Sequence, residues 1–164
     1  MTDHCNIRVF APEDLPALHD IREAAFKPVF QSFRTIVGKE IASAALVNLE
    51  NEQSEFFEKI CAPDSKHKMF VAEIGGRIVG FCSVSFDDDL KVGEIDLAAV
   101  HPDHDGKGVG AMMFEHGLEL MRKAGMKAAT VGTGGDPSHA PARRAYEKAG
   151  FNVGIPSVYL YRML

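Results

Sequence analysis

Apolar positions recur at helical spacing in two stretches near the N-terminus and alternate with polar positions in a short stretch before them. Residues 7–10 are predicted as a strand, and a helix is predicted from residue 13 to about residue 26, where Pro28 is expected to stop it. The stretch 39–61 carries Ala, Leu, Glu and Phe at helical spacing, which predicts a second helix broken near Asn51. The first third of the chain is therefore expected to be mainly helical.

Strand-forming residues dominate the next stretch, where two apolar runs flank a Gly75-Gly76 turn. Residues 68–74 and 77–85 are predicted as a β-hairpin, and a third strand is predicted from about residue 91 to residue 100. Antiparallel hairpins followed by alternating helices and strands predict an α/β (α+β) fold with a mixed sheet. The alternating elements are a helix at 109–124, a strand at 127–131, a helix at 141–149 and a closing strand at 157–163.

Size, charge and cysteine usage narrow the class of protein. The 164 residues are 46% apolar and 25% charged, as expected for one soluble globular domain. A net charge of -5 argues against general nucleic-acid binding and favours, weakly, cationic partners. No apolar run approaches the roughly 20 residues that cross a bilayer, so a cytoplasmic protein without membrane contact is expected. Cys5, Cys61 and Cys82 lack C-x-x-C spacing and are interpreted as reduced thiols.

A glycine-rich stretch lies between the third strand and the helix predicted at 109–124. Gly106, Gly108 and Gly110 let an anion approach the backbone, and the first N–H groups of a helix have no partners within it. Since the helix dipole also favours negative charge at this end, a phosphate or pyrophosphate site is predicted. A glycine-rich connection without any ligand is the alternative interpretation.

Neighbouring residues exclude two other phosphate motifs. Gly106, Gly108 and Ala111 fit the spacing of a dinucleotide fingerprint, but the next predicted strand ends at residue 131 without the acidic residue that such a unit needs. A Walker loop needs Lys followed by Ser or Thr. Because Gly108 follows Lys107, the Walker motif is absent as well.

Two motifs at a matching separation resemble the Gcn5-related N-acetyltransferase (GNAT) superfamily. The central family motif reads Gln or Arg, two residues, Gly, one residue, then Gly or Ala, and residues 105–110 read DGKGVG. A second motif places Asn seven residues before Tyr and then a Gly-Phe pair, where this chain has His139, Tyr146 and residues 150–151. Asp105 and His139 depart from the preferred residues. An aspartate repels pyrophosphate, so its side chain is expected to point away or to cap the helix.

The resemblance covers the last hundred residues well and the earlier part in element order only. It implies one acyltransferase domain over residues 1–164, with acceptor-side helices in 1–65 and a coenzyme A-binding core in 66–164. The implied fold is a mixed, mostly antiparallel sheet with a central splay, flanked by helices, in which the pantetheine arm lies like an added strand. The residues implied to bind the cofactor are Leu97, Ala98, Ala99, Val100, Asp105, Gly106, Lys107, Gly108, Val109, Gly110, Ala111, His139 and Arg144.

The resemblance also implies catalytic residues, each with an alternative. Tyr146 stands where the family often uses tyrosine as general acid, although its ordinary pKa near 10 exceeds the roughly 8.5 of a thiol, and it would otherwise pack or stack on the cofactor. Glu94 and Asp96 share one face of a strand and would take the amine proton through water, or lie solvated. Glu94 is favoured because the family often has an acidic residue near it. Lys107 and Arg144 either meet phosphates or remain solvated.

The amine acceptor is poorly determined by the sequence. Our first hypothesis is an acetyl-CoA-dependent N-acetyltransferase acting on a primary amine of a small molecule or peptide, and the second is a non-catalytic acyl-CoA-binding or sensing module. A homodimer is expected from the family alone. His101 and His104 lie in a proline-containing loop with few possible ligands, so no metal is expected. The residues implied on the acceptor side, which would otherwise be core, are Phe26, Phe30, Phe33, Arg34, Tyr159 and Tyr161.

Overall fold

One five-stranded sheet organises the part of the chain that the computed structural model describes, residues 4–164. The strands follow the order β1-β2-β3-β4-β5, with antiparallel pairing except for the parallel pair β4 and β5. The predicted mixed, mostly antiparallel sheet is therefore confirmed. The strands are β1 (Cys5–Val9), β2 (Lys68–Ile74), β3 (Arg77–Asp87), β4 (Val92–Val100) and β5 (Ala128–Val131).

Helices cover both faces of this sheet. One face packs against α4, through a core that includes Val84, Met113 and Phe114. The other packs against α1 and α3, where Leu18 and Phe57 are fully buried. Residues along β2 alternate between these two cores, as side chains with a period of two must. The helices are α1 (Leu15–Val37), α2 (Lys39–Ala45), α3 (Leu49–Cys61), α4 (Val109–Lys123) and α5 (Ala140–Lys148).

Helix α1 continues through Pro28, so its predicted end before that proline is wrong. A proline inside a helix removes a hydrogen bond and costs about 3 kcal/mol. Contacts on both sides of Pro28 offset this cost. Ile21 is buried before it and Phe30 after it. Further on, the Ser32 hydroxyl donates to the Asp136 carboxylate at 2.7 Å, which ties the end of α1 to the loop before α5.

The helix predicted at 39–61 is two helices, and the break falls at Leu46 to Asn48 rather than at Asn51. Leu46 leaves the helical conformation with φ -120° and ψ 25°, which lets its side chain become buried. Its carbonyl accepts a hydrogen bond from Arg34 at 2.9 Å, so the freed acceptor is satisfied. Tertiary contacts therefore set the position of the break.

The predicted closing strand at 157–163 does not form in this chain. Every residue from 152 to 164 is exposed, and none of them pairs with the described strands. A strand needs a neighbour for its N–H and C=O groups, and this segment has no such neighbour among the described strands. Among residues 4–164, no helix has the length and apolar character needed to cross a membrane.

Candidate functional site

The loop between β4 and α4 exposes its backbone at two glycines. Gly106 and Gly108 have φ values of 73° and 82°, a left-handed conformation that residues with a side chain rarely adopt. Gly108 is the N-cap of α4, and no side chain caps the helix. Val109 follows directly and is 2% exposed, so it anchors the start of the helix in the core. The first N–H groups of α4 are thus left available to a ligand.

The space around these glycines fits a bound phosphate. A Cβ placed on Gly106 or Gly108 would meet no heavy atom within 4 Å. A Cβ on Gly110 would make ordinary contact, 3.9 Å from Val100 Cγ2 and 4.0 Å from the Phe114 ring. An anion can therefore approach the amides without displacing protein atoms, and the helix dipole favours it there.

None of three charged residues in or near the loop points to a specific anion contact, so the prediction of an anion site rests on the backbone N–H groups. Asp105 is exposed and, within residues 4–164, its side chain neither caps α4 nor makes another hydrogen bond. Lys107 Nζ donates to the Asp103 carbonyl at 2.9 Å, which holds it across the loop. Arg144 is exposed on α5. Contacts of Lys107 and Arg144 with a phosphate remain predictions.

The pairing of β4 with β5 ends before β4 reaches this loop. Their parallel pairing runs from Val92 opposite Ala128 to Ile95 opposite Val131 and stops there. The following stretch, residues 97–100, pairs with β3 on one side, and no described strand pairs with its other side. Its free edge leads towards the glycine loop. This edge leaves backbone groups of β4 unpaired by any described strand, as an extended ligand beside β4 would require, and the central splay stays a prediction.

Tyr146 lies on α5 against the α4 side of the sheet. Its ring packs on Phe114 at 4.6 Å between centroids and meets Phe151 edge-on at 5.9 Å. Burial, and secondarily the neighbouring Cys82 thiol, raise the pKa of Tyr146 above its ordinary value. Its hydroxyl makes no hydrogen bond to any group in residues 4–164, so no protein group there competes for it.

The two carboxylates predicted on β4 differ in their surroundings. Glu94 is exposed and lies opposite Ser85 of β3. The Asp96 side chain is 6% exposed and accepts hydrogen bonds from Ser85 Oγ at 2.7 Å and Ser83 Oγ at 3.5 Å. A β-bulge between β3 and β4 places Asp96 beside these hydroxyls. Asp96 is thus held in a network, whereas Glu94 is accessible to an incoming group.

His67 completes this network and was missed in the sequence. Its Nδ1 lies 2.8 Å from Asp96 Oδ2, and its ring meets Phe56 of α3 edge-on. A carboxylate at Nδ1 orients an imidazole and leaves Nε2 as the free nitrogen. Met69 and Val71 face α1 and α3, and alternation along the strand would have placed His67 on the same face. The bulge that brings Asp96 close to His67 has no signal in the sequence.

His139 precedes α5 in a polar cluster with Asp136, which the sequence analysis also missed. Asp136 accepts from the Ser138 backbone and hydroxyl, from Ser32 and from His139 Nδ1. Burial raises the pKa of the Asp136 carboxyl, but these hydrogen bonds outweigh it and hold the pKa well below its usual range. The His139 ring stacks on Phe33 at 5.7 Å. The Asp-Pro-Ser order before α5, typical of a helix start, was the available signal.

The residues expected on the acceptor side are scattered rather than gathered in one pocket. Phe30 is buried and packs near Phe26, 6.3 Å between ring centroids. Arg34 makes a double ion pair with Glu50 at 2.5 and 2.6 Å, which fixes α1 to α3. Phe33 stacks on the His139 ring, and the last two residues, Tyr159 and Tyr161, lie in the exposed C-terminal stretch.

The cysteines and loop histidines form no reactive or metal-binding cluster in the part of the chain that the structure describes. All three cysteines are unbridged there. Burial, with a smaller effect of Glu58, raises the pKa of Cys61 to about 11. His101 Nδ1 accepts from the Asp103 backbone at 3.2 Å. No group of three His, Cys, Asp or Glu in residues 4–164 is arranged to hold a metal ion.

A sheet that opens beside a glycine loop at a helix start is the arrangement expected of an acyl-CoA-dependent acyltransferase. The model of the acetyltransferase (GNAT) family matches residues 24–151. The chain belongs to this family and is an acetyltransferase. An uncharacterized N-acetyltransferase, YsnE, of Bacillus subtilis strain 168 is 27% identical over 128 residues, covering 71% of this chain and 85% of that protein.

Other similar proteins share part of the chain or only its fold. Mycothiol acetyltransferase of Thermomonospora curvata is 35% identical over 83 residues, which cover 51% of this chain but 27% of that enzyme. The PaiA N-acetyltransferase of Thermoplasma acidophilum, solved with coenzyme A, has a TM-score of 0.71 at 16% identity and covers 94% of this chain and 93% of its own. A GNAT acetyltransferase of Brucella melitensis, solved with acetyl-CoA, has a TM-score of 0.64 at 24% identity, covering 92% and 84%.

Proposed function

We propose that this acetyltransferase moves the acetyl group of acetyl-CoA to a primary amine of a small molecule or peptide by direct attack in a ternary complex. The observation that carries the proposal is the free edge of residues 97–100, which leads into the uncapped start of α4 at Gly108. An amide-containing arm bound along this edge would end with its pyrophosphate at the helix N-terminus. The coenzyme A and acetyl-CoA complexes of the Thermoplasma and Brucella proteins support this choice of donor.

The two sides of the sheet supply different groups to the reaction. Tyr146 packs on the α4 side, whereas His67 and Asp96 lie on the α1 and α3 side. A thioester held between β4 and β5 would face Tyr146 on one side of the sheet and His67 with Asp96 on the other. The amine nitrogen would then add to the carbonyl carbon from one side, and the tetrahedral intermediate would expel the coenzyme A thiolate as its carbon–sulfur bond breaks. Positioning of this kind supplies much of the rate in acyl transfer.

Tyr146 is the proposed acid that protonates the departing thiolate. The burial that raises the pKa of this tyrosine also destabilises a thiolate formed beside it, so the thiolate's pKa rises in the same surroundings. The pKa of a tyrosine is ordinarily higher than that of a thiol, but because burial raises both, this order does not forbid transfer of the proton from Tyr146 to the thiolate. Replacing Tyr146 by Phe keeps the packing on Phe114 and removes the proton. We expect kcat to fall about 10- to 100-fold with little change in KM for acetyl-CoA.

Glu94 is the proposed base for the amine proton because its carboxylate is exposed on the same strand as Asp96. The oriented imidazole of His67 is a second candidate, since Asp96 fixes its Nδ1. Glu94→Gln and His67→Gln separate the two. Loss of the base should lower kcat/KM most at the lower end of the pH range and less where the amine is already neutral. The variant with an unchanged pH profile is not the base.

A thiol-release assay tests the proposed reaction. Purified protein and acetyl-CoA would be incubated with amino sugars, aminoglycosides, polyamines, amino acids and peptide amines, with blanks that omit the amine or the protein. Amine-dependent release of coenzyme A, with an acetylated product of matching mass, is expected for at least one class. Coenzyme A binding without turnover of any amine would contradict amine acetylation and favour a binding module.

A further inference from the structure

A histidine–carboxylate pair that has no role in the reaction described above lies between β5 and α5. His139 Nδ1 lies 2.5 Å from Asp136 Oδ1, and Asp136 Oδ2 accepts hydrogen bonds from Ser32 and Ser138. The Asp136 side chain is 8% exposed and that of His139 is 17% exposed. Within residues 4–164, no group makes a hydrogen bond to His139 Nε2. Nδ1 is therefore occupied, and Nε2 is the ring nitrogen left to a ligand.

The surrounding backbone and side chains hold this pair in place. A Cβ on Gly134 would lie 2.6 Å from Asp136 Oδ1 and would also collide with the His139 ring, so a glycine is needed there. Arg143 donates to the carbonyls of Gly134 and Asp136 at 2.6 and 2.8 Å, which closes the segment on itself. The His139 ring stacks on Phe33 of α1. The imidazole is thus oriented before any ligand binds, as a proton-transfer group requires.

Two connections bring the pair to the α1 side of the free edge of residues 97–100. The pairing of β5 with β4 ends at Val131, just before this edge begins, and the chain reaches His139 eight residues later. Helix α1 makes the second connection. Phe26 packs in one core with two residues of the edge, and Phe33 lies two turns, or about 10 Å, further along the helix.

Formation of an amide from a primary ammonium ion removes two protons from the nitrogen. The first leaves before attack, and this is the proton that the proposed base Glu94, or His67, would take. The second leaves after addition, when the nitrogen of the tetrahedral intermediate carries a positive charge. A base beside that nitrogen is therefore needed, on the side from which the amine adds.

We propose, resting on the acetyl transfer proposed above, that His139 is the base for this second proton and that Asp136 is its positioning residue. His139 Nε2 takes the proton from the nitrogen, while the carbon–sulfur bond breaks and Tyr146 protonates the thiolate. The imidazolium then returns its proton through water to the Tyr146 phenolate. Both groups are restored, and the net proton released is the one that left before attack. The Asp136 carboxylate stabilises the imidazolium in between.

Kinetics on an amine that the thiol-release assay identifies test the role of His139. His139→Asn retains a side-chain N–H for Asp136 but removes the proton acceptor. We expect kcat at pH 7 to fall about 10- to 100-fold, with the calorimetric Kd for coenzyme A unchanged within about threefold. His139→Ala should lose as much activity and regain at least about fivefold when imidazole is added as a free base.

A double-variant comparison tests the positioning role of Asp136. Asp136→Asn should lower kcat in the unsubstituted chain but lower it no further in the His139→Asn background, because the two residues act as a unit. A merely structural role would lower kcat equally in both backgrounds. Circular dichroism at the assay temperature checks that each variant is folded.

His19→Asn is the matched control, since His19 also pairs with a carboxylate, Glu58, at 2.6 Å. His19 lies about four turns, or about 21 Å, before Phe33 along α1, and its replacement should leave kcat within about twofold. Undiminished kcat in His139→Asn, absence of rescue by imidazole, or an equal loss in the control would overturn the role of His139 and leave acetyl transfer standing. If the unsubstituted chain acetylates no amine, the proposed function fails, and the role of His139 fails with it.

Discussion

Gly108 provides the sharpest test of the proposal that the loop between β4 and α4 binds coenzyme A. Its φ of 82° lies in the left-handed region, where an alanine costs about 1–2 kcal/mol. A Cβ at this position meets no protein atom within 4 Å, so the expected cost is backbone strain alone. If the loop of the unliganded variant relaxes to escape that strain, ligand binding must restore the left-handed conformation of residue 108. We therefore expect Gly108→Ala to weaken coenzyme A binding about 5- to 30-fold.

Two further substitutions make this expectation specific. Gly110 lies within the first turn of α4, and a Cβ there makes only ordinary contacts at 3.9 and 4.0 Å. Gly110→Ala should therefore bind coenzyme A within about twofold of the unsubstituted chain, and its helix should be slightly more stable. Gly108→Asn should recover part of the lost affinity, because asparagine tolerates the left-handed conformation better than alanine.

Calorimetric titration with coenzyme A measures all three variants, and circular dichroism checks that each is folded. Equal affinity for Gly108→Ala and the unsubstituted chain would refute the role assigned to the loop. An equal loss in Gly110→Ala would show that steric contact with the ligand, rather than backbone conformation, decides affinity. A Gly108→Asn variant as weak as Gly108→Ala would point to the same conclusion.

Three predictions concern side chains that are buried or held in hydrogen-bonded pairs. Asp136→Asn should lower the free energy of unfolding by about 1–3 kcal/mol in chemical denaturation, because it weakens hydrogen bonds to a buried carboxylate. Folding lowers the pKa of Asp136, so its contribution to the free energy of unfolding is full above the unfolded pKa near 4 and is lost as the pH falls towards the lower folded pKa. Unfolding curves from pH 7 to pH 3 should therefore show the difference in free energy of unfolding between Asp136→Asn and the unsubstituted chain shrinking. Asp14→Asn should lower the thermal midpoint, because Arg8 donates to this carboxylate at 2.7 and 2.8 Å; an unchanged midpoint would show that the pair is not stabilising. Cys82 should react with a thiol reagent at pH 8 only after denaturation, because burial raises its pKa and blocks access; rapid reaction in the native protein would contradict this.

The glycine loop was predicted well because its signals are local. Residues 105–110 stand directly between a strand and a helix, and both the positive φ values and the helix start follow from short-range backbone chemistry. The β2–β3 hairpin was predicted for the same reason, since the turn at Gly75 and Gly76 is encoded between its strands. Short-range signals of this kind do not depend on the rest of the fold.

The parts that were missed depend on contacts between distant residues. His67 meets Asp96 only because β2, β3 and β4 are neighbours and a bulge shifts their register. Helix α1 passes Pro28 because burial on both sides offsets the lost hydrogen bond. The stretch 157–163 has strand composition without a strand partner in its own chain. Composition predicted a strand here, but whether a strand forms depends on a neighbour that composition does not specify.

Hydrogen–deuterium exchange with and without coenzyme A tests the central claim most directly. The claim is that the ligand lies along the free edge of residues 97–100 and ends at the loop of residues 105–110. At a coenzyme A concentration shown to saturate by calorimetry, exchange should slow in peptides that cover these two stretches and change little in α2. Unchanged exchange in both stretches at saturation, or protection confined to another part of the chain, would contradict the account.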